Sequence, residues 1–205
     1  REAAGADAVR GSLTDLDALR AAAARADGVI HLAFANDFSS ADAVARAVAE
    51  ESAALATLGE ELTGSDRPFV TCSGTPFAPR RPSTEADPLH TEGPVGGRSR
   101  SVMAVLALAS QGVRSTAVRL PRTVHNNGRG GFAGLLTEMA RRAGVAGYPG
   151  EGTQRWPAVH AMDAADLFRP VHHASGGMDG WASLEVSPLL ANDTASNIRA
   201  AVDRQ

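Results

Sequence analysis

A chain of 205 residues with 43% hydrophobic side chains can bury one sizeable core, and no apolar run in it is long enough to span a bilayer. The formal charge of −3 gives no reason to expect nucleic acid or an anionic membrane as partner, and the single Cys72 excludes an internal disulfide and suits a reducing cytoplasm. There is no lysine and Tyr148 is the only tyrosine, so any chemistry that needs a Lys is excluded from this chain.

No signal-peptide pattern opens the sequence, which begins at Arg1 rather than Met, so a natural start further upstream is expected. Residues 6–11 read as a short strand closing on Gly11. Asp15-Leu16-Asp17 then opens a helix, with Thr14 as its expected N-cap and Leu16, Leu19 and Ala23 as its apolar stripe. Residues 28–34 form the next strand, apolar nearly throughout and therefore expected to be buried on both faces. A long Ala-rich helix covers 41–63, capped by Ser40 and ending near Gly64.

The stretch from Pro68 to Thr75 is the one the rest of the chain is organised around. Its short apolar run breaks into Ser73, Gly74 and Thr75, as a buried parallel strand does when it ends at a working surface. Ser73 and Thr75 are thus placed where a ligand is met, although from this stretch alone Ser73 reads first as a turn residue that satisfies backbone groups. Residues 76–97 are a Pro- and Gly-rich loop, too long for a mere connector. A helix follows over 98–111, stopped by Gly112, and then a strand over 115–121.

A polar Gly loop (125–131) leads to a helix over 132–143, with Arg141 and Arg142 near its C-terminus. A last short strand is expected at 145–148, a further helix from 163 to 168, and a terminal helix over 191–201. Strands alternating with helices argue for an α/β fold, a Rossmann-like three-layer parallel sheet with helices on both faces. In the second half Arg155-Trp156-Pro157-Ala158-Val159-His160 carries the most information. Arg155 suits an anionic or carbonyl substrate, with Trp156 and His160 lining its pocket. For Trp156 and Asp163 the structural role is the favoured reading, Trp156 as a core plug and Asp163 as the cap of the helix that follows, while Arg155 and His160 suit either role. His172 and His173 point apart as neighbours, and no Cys or His array supports a metal site.

The ordered set Gly11-Ser12-Leu13-Thr14-Asp15, Val29-Ile30-His31-Leu32-Ala33, Thr71-Cys72-Ser73-Gly74-Thr75, Val118-Arg119-Leu120-Pro121 and Arg155 to His160 resembles the extended or atypical short-chain dehydrogenase/reductases, the NAD-dependent epimerase/dehydratase-like family. The resemblance runs from about Arg1 to Phe168, with a shorter echo at Trp181 and Asp193-Thr194-Ala195-Ser196. It implies an N-terminally truncated Rossmann-like domain over 1–168 and a degenerate substrate-region remnant over 169–205.

By the same resemblance the cofactor is NAD or NADP and the substrate a small carbonyl or alcohol. Ser12 and Leu13 lie beside adenine; Leu32, Ala33 and Phe34 wall the adenosine and phosphates. Cys72 and Ser73 flank the nicotinamide, Ser73 in the slot of the catalytic serine, and Pro121, Val124 and His125 pack nearby. Thr75, Arg155, Trp156 and His160 face substrate.

The sequence departs from that pattern in three places. The G-x-x-G-x-x-G fingerprint, whose glycines let the backbone approach the pyrophosphate, is absent. Gly128-Arg129-Gly130-Gly131 lies elsewhere and reads as a mobile loop. The catalytic Tyr-x-x-x-Lys slots hold Arg98 and Val102, and Arg98 is a poor general acid because a guanidinium does not readily give up its proton. His125 is the candidate proton donor in place of the missing Tyr.

The first strand of this chain matches strand 3 of a sheet ordered 3-2-1-4-5-6, which leaves a hydrophobic edge unpaired and open to self-association. The expectation is an oxidoreductase of this family, impaired in this chain. The alternative is a non-catalytic relic or interaction module of the same fold.

Overall fold

The computed structural model describes residues 7–76, 78, 81–125, 131–148, 150–153, 155, 157–160 and 173. The chain divides into two compact units, Arg1–Leu120 and Pro121–Gln205. The domain boundary expected at 168 and the helices expected over 163–168 and 191–201 lie outside the described residues.

In the first unit the order is α1 (Leu16–Ala24), β1 (Val29–His31), α2 (Ala41–Leu62), β2 (Pro68–Gly74), α3 (Gly96–Ala107), a 3₁₀ turn (Leu108–Gln111) and β3 (Arg114–Leu120). The three strands form one parallel sheet in the order β1-β2-β3. Parallel strands joined by helices are the α/β, Rossmann-like arrangement that the sequence predicts.

Local chemistry explains most boundaries. Ser40 is extended and its hydroxyl accepts from the Ala43 N–H at 3.1 Å, which fixes the start of α2. At the start of α1 the cap is Asp15, which accepts from the Ala18 N–H at 3.2 Å, rather than Thr14. The hydroxyl of Thr14 is engaged instead with that of Ser12, 2.9 Å away. Gly64 follows α2 with φ +73°, and Gly112 ends the 3₁₀ turn at the same φ.

The core lies between the helices and one face of the sheet. It gathers Ala23 from α1, Leu55, Leu58 and Leu62 from α2, Phe69 from β2, Val105 from α3, and Val113. Arg67 ties the helix ends to the sheet. Its Nη1 donates to the carbonyls of Ala23 (2.7 Å) and Ala26 (2.9 Å), and its Nη2 donates to that of Glu61 (2.8 Å).

Four expectations are corrected. Residues 7–11 are not a strand, because no described residue pairs with them in the sheet. The second predicted strand contracts to β1, Val29–His31, at the edge of the sheet. Burial on both faces fails there: His31 is 6% exposed, while Ile30 on the other face is 71% exposed. The physical reason is that the buried cluster joins α1, α2 and α3 to the Phe69 face, so among the described residues of this unit the helices cover one face only. Residues 145–148 are also not a strand; Val145 and Tyr148 are both exposed.

Part of the long loop is ordered around Asp87, which pairs with Arg81 and accepts from the Thr84 N–H at 2.7 Å. Arg119 reaches the backbone of the same turn, donating to the Asp87 carbonyl at 2.9 Å.

In the second unit, β4 (Thr123–His125) and β5 (Ala158–His160) form a parallel pair, with α4 (Gly131–Ala143) between them in sequence. The strands were not evident from the sequence, since three residues are too few for an alternation to show. The Gly loop over 126–130 lies outside the described residues.

Candidate functional site

Ligands of open α/β sheets sit beyond the carboxyl ends of the strands. In this chain a polar cluster is built there, on the face that meets the helices. Side chains alternate along a strand, so Phe69, Thr71 and Ser73 of β2 share one face with Val29 and His31 of β1. His31 and Thr71 are register partners, and both are buried.

Glu51 of α2 closes the cluster from the helix side. It is 2% exposed, although it is an acid within the Ala47, Ala54, Leu55 and Leu58 stripe of α2. Arg98, in the first turn of α3, grips it with both edges of the carboxylate. Its Nε donates to Oε2 and its Nη2 to Oε1, each at 2.7 Å. The guanidinium carbon stands 4.0 Å from the centroid of the Phe34 ring, in the range of a cation–π contact.

Burial holds the His31 pKa below the ordinary imidazole value; Glu51 opposes that shift, and Arg98 adds to it. The imidazole is therefore kept neutral. Its Nε2 and the Thr71 hydroxyl are buried without hydrogen-bond partners among the described residues.

The residues singled out in the sequence are distributed over both units. Leu32, Ala33 and Phe34 follow β1 at its carboxyl end, Leu32 and Ala33 exposed and Phe34 half-buried. Ser73 is half-buried and donates to the Gly74 carbonyl at 3.1 Å; Cys72, also half-buried, faces the opposite side of β2. The Thr75 N–H donates to the Leu120 carbonyl at 3.1 Å, which holds the loop after β2 against β3. Ser12 and Leu13 precede α1 in irregular backbone.

In the second unit His125 and His160 come together. They are register partners across β4 and β5, and their rings meet edge to face with centroids 5.3 Å apart. Val124 pairs with Val159 beside them, and Pro121 is half-buried just before β4. Arg155 is exposed, and Trp156 lies outside the described residues.

Glu51 and Arg98 are what sequence reasoning missed or misread. Glu51 carried one signal, its position on the buried stripe of α2. Arg98 stood out only as an unsuitable general acid, whereas its structural role is to neutralise and hold Glu51.

An apolar wall at Leu32 and Phe34 suits a flat cofactor ring. No glycine turn for a pyrophosphate follows a strand among the described residues, so the fit to a dinucleotide is partial. No group of three or more His, Cys, Asp or Glu able to hold a metal occurs among the described residues. No helix among them is long and apolar enough to cross a membrane.

Comparison with known proteins adds the lineage. The chain is 39% identical over 166 residues to the uncharacterized protein C2A9.02 of Schizosaccharomyces pombe, covering 81% of this chain and 55% of that protein. It is 37% identical over 164 residues to the uncharacterized protein YLL056C of Saccharomyces cerevisiae, covering 80% and 54%. The chain thus spans about half the length of these curated relatives. A shorter stretch is 55% identical over 71 residues to transaldolase 1 of Streptomyces avermitilis, covering 35% of this chain and 18% of that protein. A family model matches residues 1–178, and the chain belongs to the NAD-dependent epimerase/dehydratase family.

Proposed function

We propose that this chain carries part of a NAD(P)-dependent oxidoreductase or epimerase acting on a small carbonyl or alcohol substrate, and that as a 205-residue chain it is impaired in that activity. The observation that carries the reading is Ser73 at the carboxyl end of the central strand, in a chain of this family. In this proposal the Ser73 hydroxyl polarises the substrate carbonyl, and His125 supplies or takes the proton. A bound nicotinamide supplies the hydride chemistry. Cys72, Leu32, Ala33, Phe34, Pro121 and Val124 line the cofactor, Ser12 and Leu13 meet its adenine, and Thr75, Arg155, Trp156 and His160 meet substrate. Residues 1–168 form the cofactor domain in this reading, and 169–205 a substrate-region remnant of a protein working in the cytoplasm.

The impairment follows from the residue types. Arg98 is committed to Glu51 and cannot exchange a proton near neutral pH. Calorimetric titration of the cooperatively folded chain with NADH and NADPH tests the proposal. Micromolar binding of either supports it, and no binding by a folded chain overturns it for the chain alone.

A second reading has its own support. Ile30 and Leu120 leave an apolar sheet face exposed, and β1 is an edge strand of its sheet. Such a surface suits a non-catalytic interaction module that associates with another copy. Sedimentation equilibrium distinguishes it: a concentration-dependent dimer that Ile30→Lys dissolves supports association, and a monomer throughout removes it.

A further inference from the structure

We propose that Arg98 is the oxyanion-binding residue of this site, holding a carboxylate or phosphate of the ligand at the carboxyl end of β1. The inference goes beyond the hydride reading and requires no bound nicotinamide.

The first support is the construction of the ion pair. Glu51 is 2% exposed, and a buried carboxylate is costly even when paired. Apolar side chains of similar volume generally hold such a place as well or better, so stability alone does not account for the pair. What the pair delivers is orientation. Two bonds to Glu51 and the Phe34 ring under the guanidinium fix its plane and its rotation.

The second support is what remains of the guanidinium. It has five N–H donors in a rigid fork, and Glu51 takes two of them. Nη1 makes no hydrogen bond among the described residues, and a third of the Arg98 side chain (33%) stays exposed. The free edge of a planar, permanently charged fork is suited to an oxyanion.

The third support is the surroundings. Arg98 lies in the first turn of α3, a helix of 12 residues, and Val95 at its N-cap offers no side-chain acceptor to the first-turn N–H groups. The positive end of the helix dipole adds to the attraction.

The test is a titration of the 205-residue chain with inorganic phosphate, followed through the side-chain Nε and Nη resonances of Arg98. Saturable shifts of those resonances are expected, with affinity about tenfold weaker in Arg98→Lys, because an ammonium cannot serve Glu51 and the anion together. Arg100→Lys, on the same helix but bonded to the Thr91 carbonyl, is expected to bind phosphate unchanged. Static Arg98 resonances, or wild-type affinity in Arg98→Lys, overturn the proposal. Should Arg98→Lys fail to fold, the wild-type resonances decide alone. Competition identifies the source: displacement of phosphate by ADP-ribose assigns the oxyanion to a dinucleotide, and phosphate left in place assigns it to the substrate. Failure of NADH to bind leaves this result standing, so the two proposals fail separately.

Discussion

Arg67 Nη1 donates to the Ala23 carbonyl at 2.7 Å, across 44 positions of sequence, and so caps a helix that has no basic residue in its own last turn. The same guanidinium takes the carbonyls of Ala26 and Glu61, near the ends of α1 and α2. The Ala23 carbonyl also accepts from the Ala26 N–H at 3.2 Å, and all three oxygens lose a cationic donor when Arg67 is truncated. Arg67→Met is expected to cost about 2–3 kcal/mol in urea unfolding. Arg67→Lys should recover only a part, since one ammonium cannot span three carbonyls set for a planar fork. Equal stability of Arg67→Met and the wild type would show that water replaces these bonds without loss.

The Glu51–Arg98 pair predicts an asymmetry between single and double replacement. Arg98→Leu leaves a carboxylate buried and unpaired and is expected to cost about 3 kcal/mol. Replacing both partners by Leu removes the desolvation cost together with the attraction, so the double variant should regain most of that loss. A double-mutant cycle in urea measures the coupling. A double variant as unstable as Arg98→Leu would mean that the cost lies in packing rather than in the stranded charge.

How much of this was legible follows from the range of each interaction. The Ser40 cap, the left-handed Gly64 and Gly112, and the Pro68–Gly74 strand rest on neighbours a few residues apart, and the sequence displays them. Ile30 reads as buried because its run is apolar, but its place on the open face of an edge strand is decided by the sheet. Glu51 needs the helical phase to tell it from Glu50 beside it, and its partner lies 47 positions away. The α/β class survives such errors because it depends on the alternation of elements rather than on which face each side chain takes. The pairing of His125 with His160 had a partial signal, since both residues stood out separately, but three-residue strands gave no register.

His31 predicts how stability responds to mild acid. Its folded pKa is lowered by burial, with Arg98 adding to the shift and Glu51 opposing it, while the unfolded imidazole keeps the ordinary value of 6.5. Just below that value the unfolded chain binds more protons than the folded one, so stability falls as pH falls. The contribution is fully present above 6.5 and is lost as pH drops through 6.5 towards the depressed folded value. Asp37 and Asp87 have pKa values lowered by hydrogen bonds from Ser39 and from Arg81 and Thr84, so their titration lies further down the scale. Urea midpoints between about pH 5 and 7 should slope less steeply for His31→Asn than for the wild type. Parallel slopes would remove His31 as the source.

Gly64 and Gly112 offer a comparison in which backbone conformation is held constant. Both have φ +73°, where an L side chain is strained, so either change to Ala should cost about 1 kcal/mol from conformation alone. Their surroundings differ: a Cβ at Gly64 meets nothing within 4 Å, whereas one at Gly112 lies 3.3 Å from the Gly64 Cα. That neighbour is backbone, held by the Gly64 N–H donating to the Gln111 carbonyl at 2.8 Å, and it cannot swing away as a side chain would. Moving it also strains the bond from the Asp66 N–H to the Gly112 carbonyl, again 2.8 Å. Gly112→Ala is therefore expected to exceed Gly64→Ala in cost by roughly 1 kcal/mol, read as the difference between two thermal or urea unfolding curves. Identical losses would show that the two turns shift together and absorb the contact, leaving only the conformational penalty.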